Sequence, residues 1–270
     1  MSVCSRRVVN VLVLATIAAS RSAGSTWPEV AVLHADEGGK GDRSGVTVTS
    51  VAFGPPIAGP DRSLLATGTG QIGEATFYSA GTDWATVSSV ATGSTAFTAP
   101  VTSVSWAPEP VDGALLAALT MRNGEIILYD STHNTTQAVL RHRSLTSVLA
   151  AAWSPPPLPD VLPVHLFAVG GSNGTVLVIE AETLNVVVLV EPHSSAEVRT
   201  IAWSQDVESN NSQCNYRVAV GGTDGTITVH SVQYYRSVWR AVIIARVTAG
   251  APVNSLTWTW NPVQCTCCWC

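Results

Sequence analysis

The stretch LLAALTMRNGEIILYD, residues 115–130, reads as two short strands folded back on each other at Asn123-Gly124. Asn-Gly between apolar runs is a strong hairpin signal, because a type I′ turn needs positive φ at both central residues and these two tolerate it most cheaply. The second strand does not alternate between apolar and polar residues. Ile126, Ile127, Leu128 and Tyr129 run together, so both faces are expected to be covered by protein. A lone hairpin cannot cover itself.

Copies of the hairpin supply the expected cover. The stretch recurs as LFAVGGSNGTVLVIE (166–180) and RVAVGGTDGTITVHS (217–231), with turns at Asn173-Gly174 and Asp224-Gly225, and more weakly as LLATGTGQIGEATFYS (64–79). Aligned on Ala66, Ala117, Ala168 and Ala219, the copies stand 51 residues apart. Repeats of roughly 40 to 50 residues built from short strands mark the blades of a propeller. A second element recurs between the hairpins: VTSVAF (48–53), VTSVSW (101–106), VLAAAW (148–153), VRTIAW (198–203) and VNSLTW (253–258). Each ends on a small residue followed by a large aromatic: Phe53, Trp106, Trp153, Trp203 or Trp258. Alternating sizes suit the inner strand of a blade, where the taper toward the axis crowds side chains.

The predicted fold is therefore all-β, an incomplete propeller of about five four-stranded blades. Residues 84–90, 137–141, 184–190 and 238–247 are the expected outer strands, whose weaker patterning reflects exposure to water. The inserts at 55–62, 108–113, 155–163 and 205–215 are expected to be surface loops, and the places where partners are met. After Trp258 the pattern stops. Residues 1–262 form the expected propeller, and 263–270 an unstructured cysteine-rich tail.

The first blade, 8–53, has two readings. Arg6-Arg7 followed by an apolar run (8–20) has the form of a secretory signal and is too short to span a membrane. Ala15 also lies 51 residues before Ala66, which puts the same run in phase with the repeat as a strand, with 28–34 as its partner. The phase favours the strand; a signal would make the protein secreted.

Composition narrows function. A chain of 270 residues with 46% hydrophobic and 12% charged side chains buries a substantial core. Its net charge of −5 supplies no general attraction for nucleic acid, so DNA contact is expected only through partners. Four of six cysteines lie in the last six residues, at Cys265, Cys267, Cys268 and Cys270, which is no disulfide framework and fits a reducing compartment.

The Asn-Gly and Asp-Gly turns, the strands that follow them, and Tyr129-Asp130 at the Trp-Asp position resemble a WD40-type propeller. Tyr78-Ser79, Ile179-Glu180 and His230-Ser231 depart from the dipeptide at the same place. A narrower resemblance lies in Trp106, Pro108, Leu115, Leu116, Ala117, Leu119, Thr120 and Asn123, with Trp153, Ser154 and Pro155 repeating its start. That order is similar to the N-terminal propeller of the ninety-kilodalton (delta) subunit family of transcription factor IIIC. The resemblance implies a nuclear scaffold within the complex that recruits RNA polymerase III to transfer-RNA genes. Its partners would be the other protein subunits, with no membrane and no cofactor.

Other patterns carry no chemistry in this context. Gly68 to Gly73 satisfies G-x-G-x-x-G, but a strand follows where dinucleotide binding needs a helix. Gly170, Ser172 and Gly174 satisfy G-x-S-x-G, but at a hairpin turn rather than a strand-to-helix elbow. His142 and His193 precede inner strands, where WD40-like repeats hold a histidine bonded within its own blade, and neither has a recurring ligand partner. The terminal cysteines lack the two separated pairs of a zinc site. Asn134, Asn173 and Asn210 begin glycosylation sequons that matter only in a secreted protein. No acetyl-CoA-binding loop is present, and the expectation is a non-enzymatic scaffold with no catalytic, cofactor or metal residues.

Overall fold

The computed structural model describes residues 48–55, 63–69, 75–80, 87–91, 99–156, 164–193, 195–204, 208–210 and 213–258. These residues form strands and no helix. Four antiparallel, blade-like sheets follow one another along the chain. The first holds β1 (Val48–Phe53), β2 (Ser63–Thr69), β3 (Ala75–Ala80) and β4 (Val87–Ala91) in chain order. The second holds β5 (Val101–Trp106), β6 (Leu116–Met121), β7 (Glu125–Asp130) and β8 (Thr135–Arg141). The third holds β9 (Val148–Trp153), β10 (Leu166–Gly171), β11 (Val176–Glu180) and β12 (Val186–Val190). The fourth has β13 (Val198–Trp203), β15 (Gln213–Gly222), β16 (Thr226–Tyr235) and β17 (Val238–Thr248), with the short β14 (Glu208–Asn210) paired to the start of β15. The proposed first hairpin, the Cys265 to Cys270 cluster and most of the 55–62 and 155–163 inserts lie outside the described residues.

The hairpins predicted at 115–130, 166–180 and 217–231 form, but their turns are not type I′. Gly124, Gly174 and Gly225 have φ of 86°, 84° and 74°, whereas Asn123, Asn173 and Asp224 are not among the positive-φ residues. The glycine N–H bonds back three residues in each case, to Met121, Gly171 and Gly222. This is a type I turn closed by a left-handed glycine. Asn123, Asn173 and Asp224 serve differently: each Oδ1 accepts the N–H two residues on, from Glu125, Thr175 and Thr226. These are Asx turns. Primed two-residue turns occur elsewhere, at Asp112-Gly113 (φ 49° and 80°) and Arg236-Ser237 (φ 51° and 64°).

The middle strands run buried on both faces, as the unbroken apolar pattern requires. Every residue of β6 and of β10 is buried. Three apolar clusters fill the three seams between neighbouring sheets. At the first seam Phe77 stacks on Tyr129, centroids 4.6 Å apart, and meets Trp106 edge-on at 5.4 Å. At the second, Leu116, Ala118, Ile126 and Leu128 meet Trp153, Phe167, Val169, Leu177 and Ile179. At the third, Leu166, Ala168, Val176 and Val178 meet Trp203, Tyr216, Val218 and Val220.

Register corrects the constant period. Ala52 pairs with Ala66, Ser105 with Ala118, Ala152 with Ala168 and Ala202 with Ala219. Ala118, not Ala117, is therefore the counterpart of Ala168, and both pack against the following sheet while Ala117 packs against the preceding one. A shift of one residue exchanges the faces of a strand. The spacing is thus 52, 50 and 51 residues between positions 66, 118, 168 and 219.

Residues 253–258 also differ from expectation: they carry no strand pairing. They nevertheless lie along β13 with inner-strand contacts. Val253 packs over Gly221, and Leu256 N–H donates to Thr200 Oγ1 at 3.1 Å, as Val104 N–H donates to Ser50 Oγ at 3.0 Å three sheets earlier. The insert at 205–215 is not simply a loop, since β14 and the start of β15 pair within it.

Candidate interaction surface

The recurring aromatics fasten each sheet to the one before. Trp106 Nε1 donates to Ala52 O at 3.1 Å, Trp153 to Ser105 O at 3.0 Å, Trp203 to Ala152 O at 3.0 Å and Trp258 to Ala202 O at 2.9 Å. Each acceptor is the small residue that precedes the aromatic of the previous sheet. The small-aromatic dipeptide is thus explained by this bond rather than by taper alone: the small residue leaves its carbonyl open, and the next indole reaches it. Phe53 has no ring N–H and cannot make the bond. Near the starts of β1 and β5, Thr49 Oγ1 donates to Val101 O at 2.7 Å and Thr102 Oγ1 to Val148 O at 2.5 Å.

The turns are pinned in the same manner. A Cβ on Gly124 would meet Leu145 O at 2.8 Å, on Gly174 His193 O at 1.7 Å, and on Gly225 Ala251 O at 3.0 Å. The segment leaving each of the second, third and fourth sheets therefore rests on a turn glycine. His193 completes one such clasp, its buried Nδ1 lying 3.1 Å from both Asp224 carboxylate oxygens and 2.8 Å from Thr226 Oγ1. Burial pushes the Asp224 carboxyl up, but hydrogen bonds from Thr226 and His193 outweigh it and hold the group below its usual range. His142 makes a smaller contact, accepting the Ser144 N–H at Nδ1. Tyr129 and Asp130 are both buried. The Asp130 carboxylate takes the N–H groups of Thr132 and His133 and pairs with His133 Nδ1 at 2.6 Å. Burial again acts upward and these bonds prevail, lowering its pKa.

Beside these clasps the third seam departs from the other two. Register makes Val218/His230 the counterpart of Ala117/Tyr129 and Phe167/Ile179, and Val220/Thr228 the counterpart of Leu119/Ile127 and Val169/Leu177. Two apolar positions have become His230 and Thr228, joined by a 3.0 Å hydrogen bond between His230 Nε2 and Thr228 Oγ1. Burial lowers the His230 pKa to about 4, aided by the charges of His193 and Arg246. The folded state thus binds the proton more weakly than the unfolded chain, whose histidine titrates near 6.5. Stability is full above about pH 6.5 and declines toward pH 4, by up to about 3 kcal/mol. Urea midpoints measured across that range are expected to fall with acid, and His230→Ile is expected to flatten the decline.

Gly68 and Thr69 lie in β2, and among the described residues the next element is the strand β3; residues 70–74 of the pattern lie outside the described residues. Ser172 sits in the β10–β11 turn with its N–H bonded to Ser147 O. The 108–113 insert closes on itself, with Val111 and Ala114 exchanging 2.9 Å backbone bonds around Asp112-Gly113. Asn134 is exposed in the β7–β8 connection at φ 57°. Among the described residues no group of three or more histidine, cysteine or acidic side chains could hold a metal ion. No described helix is long and apolar enough to cross a membrane.

No protein-family model matches the chain, and no curated protein matches it. The functional reading therefore rests on the residues themselves. One surface feature went unnoticed in the sequence. The fourth sheet is much longer than its neighbours, with strands of 10, 10 and 11 residues at β15, β16 and β17. The outermost of these, β17, leaves Val238, Val242, Ile243, Ile244 and Val247 exposed.

Proposed function

We propose that the chain is a non-enzymatic protein-interaction scaffold, built as an incomplete WD40-like propeller of about five blades. On this reading it is a subunit of transcription factor IIIC, acting in the nucleus at transfer-RNA genes and reaching DNA only through partner subunits. The observation that carries the scaffold is the repeated fastening of sheet to sheet. The indole-to-carbonyl bond recurs four times with the same geometry, which makes a stiff array whose rims and outer strands are left for other chains. Adjoining repeats that contact only their neighbours produce extended binding surfaces of this kind. The more specific assignment is supported by the resemblance at Trp106, Pro108, Leu115 to Ala117, Leu119, Thr120 and Asn123. All but the half-buried Pro108 and the exposed Asn123 are buried in the second sheet or its seams, so the resemblance lies mostly at positions that shape the fold.

The test is affinity purification of the tagged full chain from nuclear extract. Recovery of polymerase III initiation proteins is expected; their absence, with other proteins recovered, would leave the scaffold and remove the transcription factor assignment.

A further inference from the structure

The charges of this acidic chain are unevenly placed. All its aspartates and glutamates lie at or before Asp224, while residues 226–258 carry Arg236, Arg240 and Arg246 and no acidic residue. The three arginines fall on β17 and on the Arg236-Ser237 turn that enters it. β17 pairs with β16 on one side, and among the described residues with no strand on the other. Edge strands normally guard against further pairing by being short or by carrying charge. The corresponding β8 and β12 have seven and five residues; β17 has eleven.

Register sorts the exposed side chains by face. Val238 pairs with Tyr235, Arg240 with Gln233, Val242 with Ser231 and Val247 with Ile227, which places them on the face turned away from the third sheet. Trp239 and Ala241 lie on the opposite face, packed into the third seam with Tyr234 and Val232. A bulge between Val229 and His230 then breaks the alternation at Ile244. Along the open face the edge thus reads aliphatic, cationic, aliphatic at Val238, Arg240 and Val242, each exposed.

We propose that the outer edge of β17 is a strand-addition site for an extended segment of a partner protein with the pattern apolar-x-acidic-x-apolar. Backbone bonds to the free edge supply affinity, as in other strand-addition complexes. The acidic side chain opposite Arg240 sets register, and the apolar residues flanking it cover Val238 and Val242. A second copy of this chain fits less well: its own β17 carries no acidic residue to set against Arg240. This inference rests on the scaffold reading and names one kind of partner for it.

The test uses the full chain and a fluorescent peptide of about ten residues that alternates threonine with valine and glutamate in that pattern. Anisotropy at low salt is expected to show binding. Lysine in place of glutamate is expected to weaken it about tenfold or more, and the exposed Arg240→Glu variant is expected to reverse the preference. Matching thermal melts of variant and parent confirm that the fold is kept. Equal binding of both peptides, or none, overturns the proposal. So does charge-dependent binding to phosphatidylserine vesicles without peptide binding, or a dimer by sedimentation equilibrium whose formation excludes the peptide. Recovery of the same partners by Arg240→Glu in the affinity experiment would overturn the edge while leaving the scaffold standing.

Discussion

Replacing Gly174 by alanine is expected to destabilise the protein by on the order of 4 kcal/mol, among the larger effects of a single methyl group. Two causes add. The residue sits at φ 84°, where an L side chain costs roughly 1 to 2 kcal/mol. Its Cβ would also stand 1.7 Å from His193 O, so the backbone that carries His193 would have to move. That motion would pull the imidazole from Asp224 and Thr226 and loosen the loop into β13. Gly113 is the control, with φ of 80° but no heavy atom within 4 Å of a Cβ. Gly113→Ala is expected to cost only about 1 kcal/mol, the conformational part alone. Urea denaturation of both variants separates the two causes: equal losses would show that the His193 loop does not rest on the Gly174 turn.

Trp153→Ala is expected to cost about 3 to 5 kcal/mol, the usual range for deleting a buried aromatic. The ring is 8% exposed, lies within the second seam beside Phe167 at 5.0 Å, and holds Ser105 O through its indole. Trp153→Phe keeps much of the apolar contact and removes the donor. Its expected cost is about 1 to 2 kcal/mol, the penalty for leaving a buried carbonyl without its partner. Thermal and urea unfolding of the pair check both values. A phenylalanine variant as stable as the parent would show that the indole bond does not fasten the sheets.

The hairpins were legible because their cause is local. Asn-Gly and Asp-Gly between apolar runs announce a reversal whatever its dihedral class, and the runs in 126–129 and 176–179 announce cover on both faces. The turn class was not legible. Asn and Asp satisfy either a positive φ or an Asx bond, and only the backbone distinguishes them. Ala117 and Ala118 are adjacent and chemically identical, so the sequence could not tell which faces forward; the seam contacts of Leu116 and Leu128 decide it. The small-aromatic dipeptide was visible five times, but its partner lies about fifty residues away and no local pattern links them. His230 and Thr228 read as strand residues in an alternating run. Their placement at positions held by apolar residues in the other seams appears only once register aligns the sheets. The β17 edge was read as a weak outer strand, because weak patterning and an exposed edge look alike in sequence.

The fold is held by blade-like sheets packed face to face and fastened by indoles. Hydrogen exchange of the indole N–H groups, followed by two-dimensional NMR with each tryptophan assigned by substitution, tests this most directly. Trp106, Trp153 and Trp203 are each bonded to the preceding sheet, and their indole protons are expected to exchange slower than free indole by several orders of magnitude, losing protection together with the sheet backbone amides. Exchange of these three protons at the rate of free indole, with the sheet amides still protected, would contradict it.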